Sequence, residues 1–388
     1  MLEEYLTEFG YNEKQTNKIL KIFPANKYSQ STLLYHLKNY HQYFEKNNMK
    51  KEEIIDVIMT IPNIMTESVE NIKVQVQELT SLGFHKIDIF KMIKKYPYIL
   101  ELSIPKIKNK IEQLQSFSFS KKQALIIFSE YPSLLKVESS FEKKIKYFRD
   151  FGYSKEETTH ILTLNPELMM KNISDLDKKM KELHTLGFHS IDIIKTTTIV
   201  PEILTSPIDL IKEKFRQLLE FGYTEIDIIE IIKKVPFLLK ENYLEEMPNH
   251  LDFLLSCGFS KEKVIFMTCN NPYIFCYSTE SILNKMENIG NLGYRLEDVL
   301  KMLEYFPLLF GYRIETTQEK LEYYREIGLE SIVLENSTIL RFPLPLIKER
   351  KAFFEKREEK EEKDLFIEDT KFYQKYKITR ESLLKGEY

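Results

Sequence analysis

Apolar residues recur along the chain at intervals of four, three and three, and each group closes on a glycine with an aromatic residue behind it. Before Gly222 they are Ile211, Phe215, Leu218 and Phe221; before Gly187 they are Leu176, Met180, Leu183 and Leu186. Residues so spaced share one helical face, so each group predicts an amphipathic helix, called helix A. Counted from the glycine, its apolar stripe lies at −11, −7, −4 and −1. The glycine supplies the left-handed residue on which helices commonly end. It stands at Gly10, Gly83, Gly152, Gly187, Gly222, Gly258, Gly293 and Gly328, with Asn48 and Ser118 at the two other places. Asn tolerates that conformation next best. Ser tolerates it less well, and a distorted turn is expected at Ser118.

A second helix, helix B, is predicted beyond the glycine. The residue after the glycine is apolar, as in Phe84, Phe119, Tyr153, Phe188 and Tyr223, and is placed to act as a hydrophobic staple. A capping residue often follows (Ser120, Ser154, Thr224, Ser260), then acidic residues such as Glu156, Glu157, Asp227 and Glu262. Helix B is apolar on more than one stripe, as in Ile228, Ile229, Ile231 and Ile232, which predicts packing between neighbours. A proline then forbids continuation. Apolar pairs behind it, Ile99 and Leu100 or Leu238 and Leu239, are expected to form a short third turn plugging the core.

The prolines are Pro24, Pro62, Pro97, Pro132, Pro166, Pro201, Pro236, Pro272, Pro307 and Pro343, at successive intervals of 38, 35, 35, 34, 35, 35, 36, 35 and 36 residues. So regular a period means a repeat array. Its 388 residues suggest two or three domains by length, but a solenoid grows in one dimension and needs no break. One continuous all-α array over residues 1–355 is expected, with an incomplete first copy and a degenerate tenth as caps. The run from Arg357 to Asp364 marks a change of composition, and residues 356–388 read as a charged, solvated C-terminal tail.

Composition narrows the function. No apolar run approaches the length of a membrane span. The start, Leu2-Glu3-Glu4-Tyr5, reads as neither signal nor transit peptide. A cytoplasmic location, or the interior of a host cell or organelle, is expected. Three cysteines without C-x-x-C spacing read as small buried hydrophobes in a reducing compartment. Histidines His85 and His189 repeat one position rather than converging, and there is no glycine-rich phosphate loop, H-E-x-x-H or G-x-S-x-G. No enzyme activity, cofactor or metal is expected. The net charge of −3 gives no global pull on nucleic acid, so such binding needs local charge.

The pattern L-x-x-L-G-F/Y-[S/T] followed by I-I-x-x-x-P-x-L-L resembles the mitochondrial transcription termination factor (mTERF) family. It is carried by Leu79 to Phe84 with Pro97 to Leu100, Leu183 to Phe188 with Pro201 to Leu204, Leu218 to Thr224 with Pro236 to Leu239, and Ile289 to Tyr294 with Pro307 to Leu309. The resemblance implies a right-handed α-solenoid of about ten repeats, two helices and a short third turn each, curved like a half-doughnut. It further implies binding of double-stranded DNA, or RNA, along a basic face, in transcription or RNA metabolism.

One column of residues fits that implication. At −8, helix A carries Gln75, Lys110, Lys144, Lys179, Lys214, His250, Lys285 and Lys320. Neighbouring helices pack about 8–10 Å apart, so aligned lysines would form a rail for phosphates. Arg149 and Arg216, with Lys108, Lys143, Lys178, Lys212 and Arg325, flank it. The tentative nucleic-acid contacts are Lys110, Lys144, Lys179, Lys214, Lys285, Lys320, Arg149 and Arg216. The same column lies beside the apolar stripe, and its stems could equally cover the core edge as a structural device. A monomer gripping duplex DNA or structured RNA is expected. The alternative is a protein-binding scaffold of the same fold, including a bacterial protein acting on a host partner.

Overall fold

The structure, a computed structural model, describes residues 1–136, 141–357 and 362–386, with the side chains of 241–246 and Glu362 left undescribed. Among the described residues there are 23 α-helices and ten 3₁₀ turns and no strand. The all-α repeat expected from periodicity is observed. The chain divides into two compact units, Met1–Ser206 and Pro207–Tyr388.

In the first unit, helices A are Leu2–Phe9, Gln30–Lys46, Val69–Leu82, Ile104–Ser116, Glu142–Phe151 and Ile173–Thr185. Helices B follow them at Glu13–Ile22, Lys51–Thr60, Lys86–Lys95, Lys121–Glu130, Lys155–Leu164 and Ser190–Ile199. From the second repeat on, a 3₁₀ turn starts at the proline, as in Pro97–Glu101 and Pro201–Leu204. Proline suits that first position because its missing N–H is not needed there.

In the second unit, helices A are Ile208–Phe221, Glu241–Ser256, Thr279–Asn291, Ile314–Glu326 and Leu344–Lys356. Helices B are Glu225–Lys234, Lys261–Asn270, Leu296–Tyr305 and the short Glu330–Glu335. Their 3₁₀ turns are Pro236–Leu239, Pro272–Cys276, Pro307–Gly311 and Ser337–Arg341.

The junctions follow from local chemistry. After helix A, the N–H of the residue behind the glycine bonds the carbonyl five residues back, as in Phe188 to Leu183 and Tyr223 to Leu218. That is the six-to-one closure of a Schellman turn. Ser118, at φ +77°, makes the same closure through Phe119 to Leu114, so the distortion expected there is absent. Ser120, Ser154, Thr224 and Ser260 each cap helix B by accepting from the backbone three residues on. The staple residue is buried, and at two places its hydroxyl reaches the next repeat. Tyr153 meets Thr197, and Tyr223 meets Thr268, each at 2.6 Å.

Three expectations at the chain ends are corrected. Pro24 opens a turn and no 3₁₀ helix. Pro343 precedes helix A Leu344–Lys356 instead of ending helix B, because the tenth helix B is only six residues long and its third turn begins early, at Ser337. The C-terminal segment is no solvated tail over its described part. Residues 362–386 form a 3₁₀ turn and the helices Asp369–Tyr376 and Arg380–Lys385. Phe372 is fully buried between Phe353, Phe354 and Tyr376. The core of the charged run, residues 358–361, lies outside the described residues. The three cysteines are free: Cys257 and Cys269 are half-buried and Cys276 is exposed, where burial was expected.

Candidate nucleic-acid interface

Between a 3₁₀ turn and the next helix A the chain runs briefly outside helical geometry, as at Leu102, Tyr277 and Tyr312. Carbonyls there have no partner within a helix. The −8 side chain of the preceding helix A fills that need. Gln75 donates to Leu102 O at 3.0 Å and to Ile99 O at 2.9 Å. Lys144 donates to Lys171 O, Lys179 to Ser206 O and Lys285 to Tyr312 O. The Nε2–H of His250 donates to Tyr277 O at 2.9 Å. In all five the acceptor at the head of the next helix A lies 27 residues on.

Two further members have shorter spacing for a visible reason. Lys320 reaches Leu340 O, 20 residues on, across the shortened helix B. Arg350 reaches Leu365 O at 2.8 Å and Ile367 O at 2.7 Å, where helix Leu344–Lys356 leads to the 3₁₀ turn Glu362–Phe366. Its other arm pairs with Asp369 at 2.7 Å. Arg350 is thus the column's last residue. It escaped the sequence reading because no glycine or proline marks its repeat.

The column therefore turns inward. Lys144, Lys179, Lys285 and Lys320 are only 5–8% exposed, and Arg350 is 0% exposed. Burial lowers the ammonium pKa of Lys144, Lys285 and Lys320, against which Asp175 and Glu315 act at the first two. A hydrogen bond from a charged donor contributes about 1.5–3 kcal/mol, and a buried carbonyl left unpaired costs about as much. These four lysines do not form the exposed rail expected of them. The stem runs along the stripe as the structural alternative supposed, and the ammonium bonds protein rather than water.

The other tentative contacts differ. Lys110 is half-buried, 5.0 Å from the ring of Phe141. Lys214 is half-buried and donates to Gln217 at 3.1 Å. Helix Glu241–Ser256 follows its 3₁₀ turn after the single residue Lys240, so the usual link is missing there. Arg149 is half-buried and donates to Phe117 O at 3.4 Å. Arg216 is exposed but held by Glu213 and Glu220.

Exposed lysines stand beside the column instead. In the first unit they are Lys106 and Lys108, Lys143 and Lys146, and Lys178 and Lys181, on three successive helices A. Lys108 lies 3.8 Å from Glu112 and Lys181 2.7 Å from Asp177, while Lys106, Lys143, Lys146 and Lys178 have no ion pair among the described residues. Lys106, Lys146 and Lys181 were missed because the reading followed one row; Lys146 and Lys181 sit at −6, three residues from the flanking Lys143 and Lys178. In the second unit, helices Thr279–Asn291 and Ile314–Glu326 bear acidic residues instead, including the exposed Glu287, Glu319 and Glu322.

Comparison with known families settles the class of this array. The mTERF family model matches in four overlapping stretches, residues 67–183, 145–209, 170–289 and 209–350. The chain belongs to the mTERF family. The matched stretches span the mTERF repeats from the end of the first 3₁₀ turn, Pro62–Thr66, to the last −8 residue, Arg350. No curated protein matches the chain. Among the described residues, no helix of this mTERF protein is long and apolar enough to cross a membrane.

Proposed function

We propose that the protein binds nucleic acid without catalysing a reaction on it, gripping duplex DNA or structured RNA through the exposed lysines of its first unit. Membership of the mTERF family carries this reading, and the lysine flank supplies a place for it. Lys106, Lys143, Lys146 and Lys178 are exposed without an ion pair among the described residues, and Lys108 and Lys181 are exposed beside one carboxylate each; phosphate contacts of this kind fix a duplex in position without reading its sequence. Lys144 and Lys179 serve the same face from beneath, tying each helix A to the start of the next. Lys110 shares helix Ile104–Ser116 with Lys106 and Lys108. The protein acts as a monomer in regulating transcription or RNA metabolism, in the cytoplasm or the interior of a host cell or organelle, and needs no cofactor.

A second reading, a scaffold for a basic protein, is favoured by the acidic helices A of the second unit, where Glu287, Glu319 and Glu322 would repel phosphate. Fluorescence anisotropy with labelled duplex DNA and hairpin RNA at two salt concentrations separates the two. The nucleic-acid reading expects binding at low salt that weakens steeply as salt rises, and an affinity loss of about tenfold or more in Lys143→Glu/Lys146→Glu/Lys178→Glu. Absence of binding at low salt contradicts it.

A further inference from the structure

In the first unit a cavity of about 350 Å³ opens between two successive 3₁₀ turns, Pro62–Thr66 and Pro97–Glu101, with helix Val69–Leu82 contributing a wall. That volume lies at the lower end of the range that small-ligand sites occupy, about 300–1,000 Å³. Ile61, Ile64, Ile72 and Leu100 give it an apolar side. Its polar lining offers acceptors whose donors are spent. Gln75 gives both amide hydrogens to Ile99 O and Leu102 O, which leaves its Oε1 as an acceptor. Asn71 donates to the Glu67 carboxylate at 3.1 Å, and the Tyr40 hydroxyl is spent on Glu67 O. Glu67 and Glu101 both line the cavity, and neither has an ion pair among the described residues.

Other repeats hold the reverse charge at this link. Lys144, Lys179 and Lys285 each bring an ammonium to the join between the third turn and the next helix A, whereas Gln75 brings none. The place of Glu67 after its proline is held later in the first unit by Lys171 and Ser206, and that of Glu101 by Lys136, Met170 and Thr205. The fold therefore requires no carboxylate at either place. The elements that wall the cavity, residues 30–46, 61–67, 69–82 and 97–101, carry Glu45, Glu67, Glu70, Glu78 and Glu101 against Lys38, Lys46 and Lys73. Lys73 is paired with Glu70 at 2.6 Å. Helix Ile104–Ser116, with the first lysines of the exposed flank, supplies none of the wall. Two like charges lining one cavity disfavour each other, and a cation placed there is attracted to both. We propose that the cavity binds a primary alkylammonium group. Its N–H groups donate to Glu67, Glu101 and the amide oxygens of Asn71 and Gln75, and its carbon stem lies on Ile61, Ile64 and Leu100. A free polyamine and a lysine side chain of a partner protein both present such a group. The site does not rest on the nucleic-acid reading, because no lysine of the flank takes part.

Isothermal titration calorimetry of the full chain at low salt, with no nucleic acid present, tests it with spermidine and with a short end-blocked peptide whose one charged side chain is a lysine. Binding of at least one is expected, and none of the uncharged 1,6-hexanediol. Affinity should fall about tenfold or more in Glu67→Gln/Glu101→Gln. It should fall as far in Gln75→Lys, which sets the protein's own ammonium at the link as Lys144 does. Glu319→Gln/Glu322→Gln removes the same charge from the second unit and should leave affinity unchanged, and thermal melts check that all three variants are folded. Spermidine binding assigns a free polyamine; binding of the peptide alone assigns a lysine of a partner. Three results overturn the proposal: neither ammonium compound binds the native chain, either cavity variant binds as the native chain does, or the two glutamine pairs lose affinity equally, which would mean general attraction to an acidic surface.

Discussion

At the residue scale, the −8 position shows how one side chain serves two neighbouring repeats. Gln75 makes the same bonds as the lysines without charge, so the position selects a donor rather than a cation. Lys179→Gln should therefore keep most of the stability that Lys179→Met loses. The Met variant should unfold about 1–3 kcal/mol more easily, as measured by urea titration. His41 offers a second residue-scale prediction. Its ring is buried against Phe9, its nitrogens face the Tyr5 and Tyr11 hydroxyls at 2.9 and 3.1 Å, and burial pushes its pKa down to about 3. The unfolded chain takes up a proton near pH 6.5 that the folded chain refuses. Stability present above pH 6.5 is thus lost as pH falls toward 3, by up to roughly 1.4 kcal/mol per pH unit. Urea midpoints at pH 7 and pH 5 should differ in the native chain, and differ less in His41→Phe.

At the scale of the element, most of what the structure shows was legible from sequence. Helix A, its glycine stop, the Ser and Thr caps of helix B and the third turn at proline all follow from local rules with little tertiary override. What escaped was set by distance along the chain. Whether Lys179 points to water or to Ser206 O is decided by a backbone 27 residues away, and periodicity fixes its row but not its direction. The same limit hid Arg350, whose acceptors become adjacent only because helix B is absent from that repeat. Ser118 marks the reverse case, where the turn is imposed on an unfavourable residue. At φ +77° it holds a left-handed conformation that disfavours an L side chain by about 1–2 kcal/mol. Ser118→Gly should raise the unfolding midpoint by a degree or more in a thermal melt, less than the full strain because glycine also gains freedom when unfolded.

At the scale of the whole molecule, the second unit ends differently from a plain repeat stack. The second is closed by residues 362–386, which cover Phe353 and Phe354 and supply the carbonyls and carboxylate that hold Arg350. Removing everything after Arg357 should strip Arg350 of its partners and of the Phe372 ring beside it, and uncover Phe353 and Phe354. Limited proteolysis should then cut the second unit sooner than in the full chain, with the first unit unaffected.

The central claim divides the basic residues into an inward column that holds the repeats and an outward flank that meets nucleic acid. It is tested most directly by comparing duplex-DNA affinity and its salt dependence for two charge-neutralised proteins, Lys144→Gln/Lys179→Gln and Lys143→Gln/Lys178→Gln. The account predicts native affinity and salt slope for the first. For the second it predicts an affinity loss of about tenfold and a slope lower by about two. Loss of affinity and slope in the first with none in the second, or no duplex binding by the native chain at low salt, would contradict it.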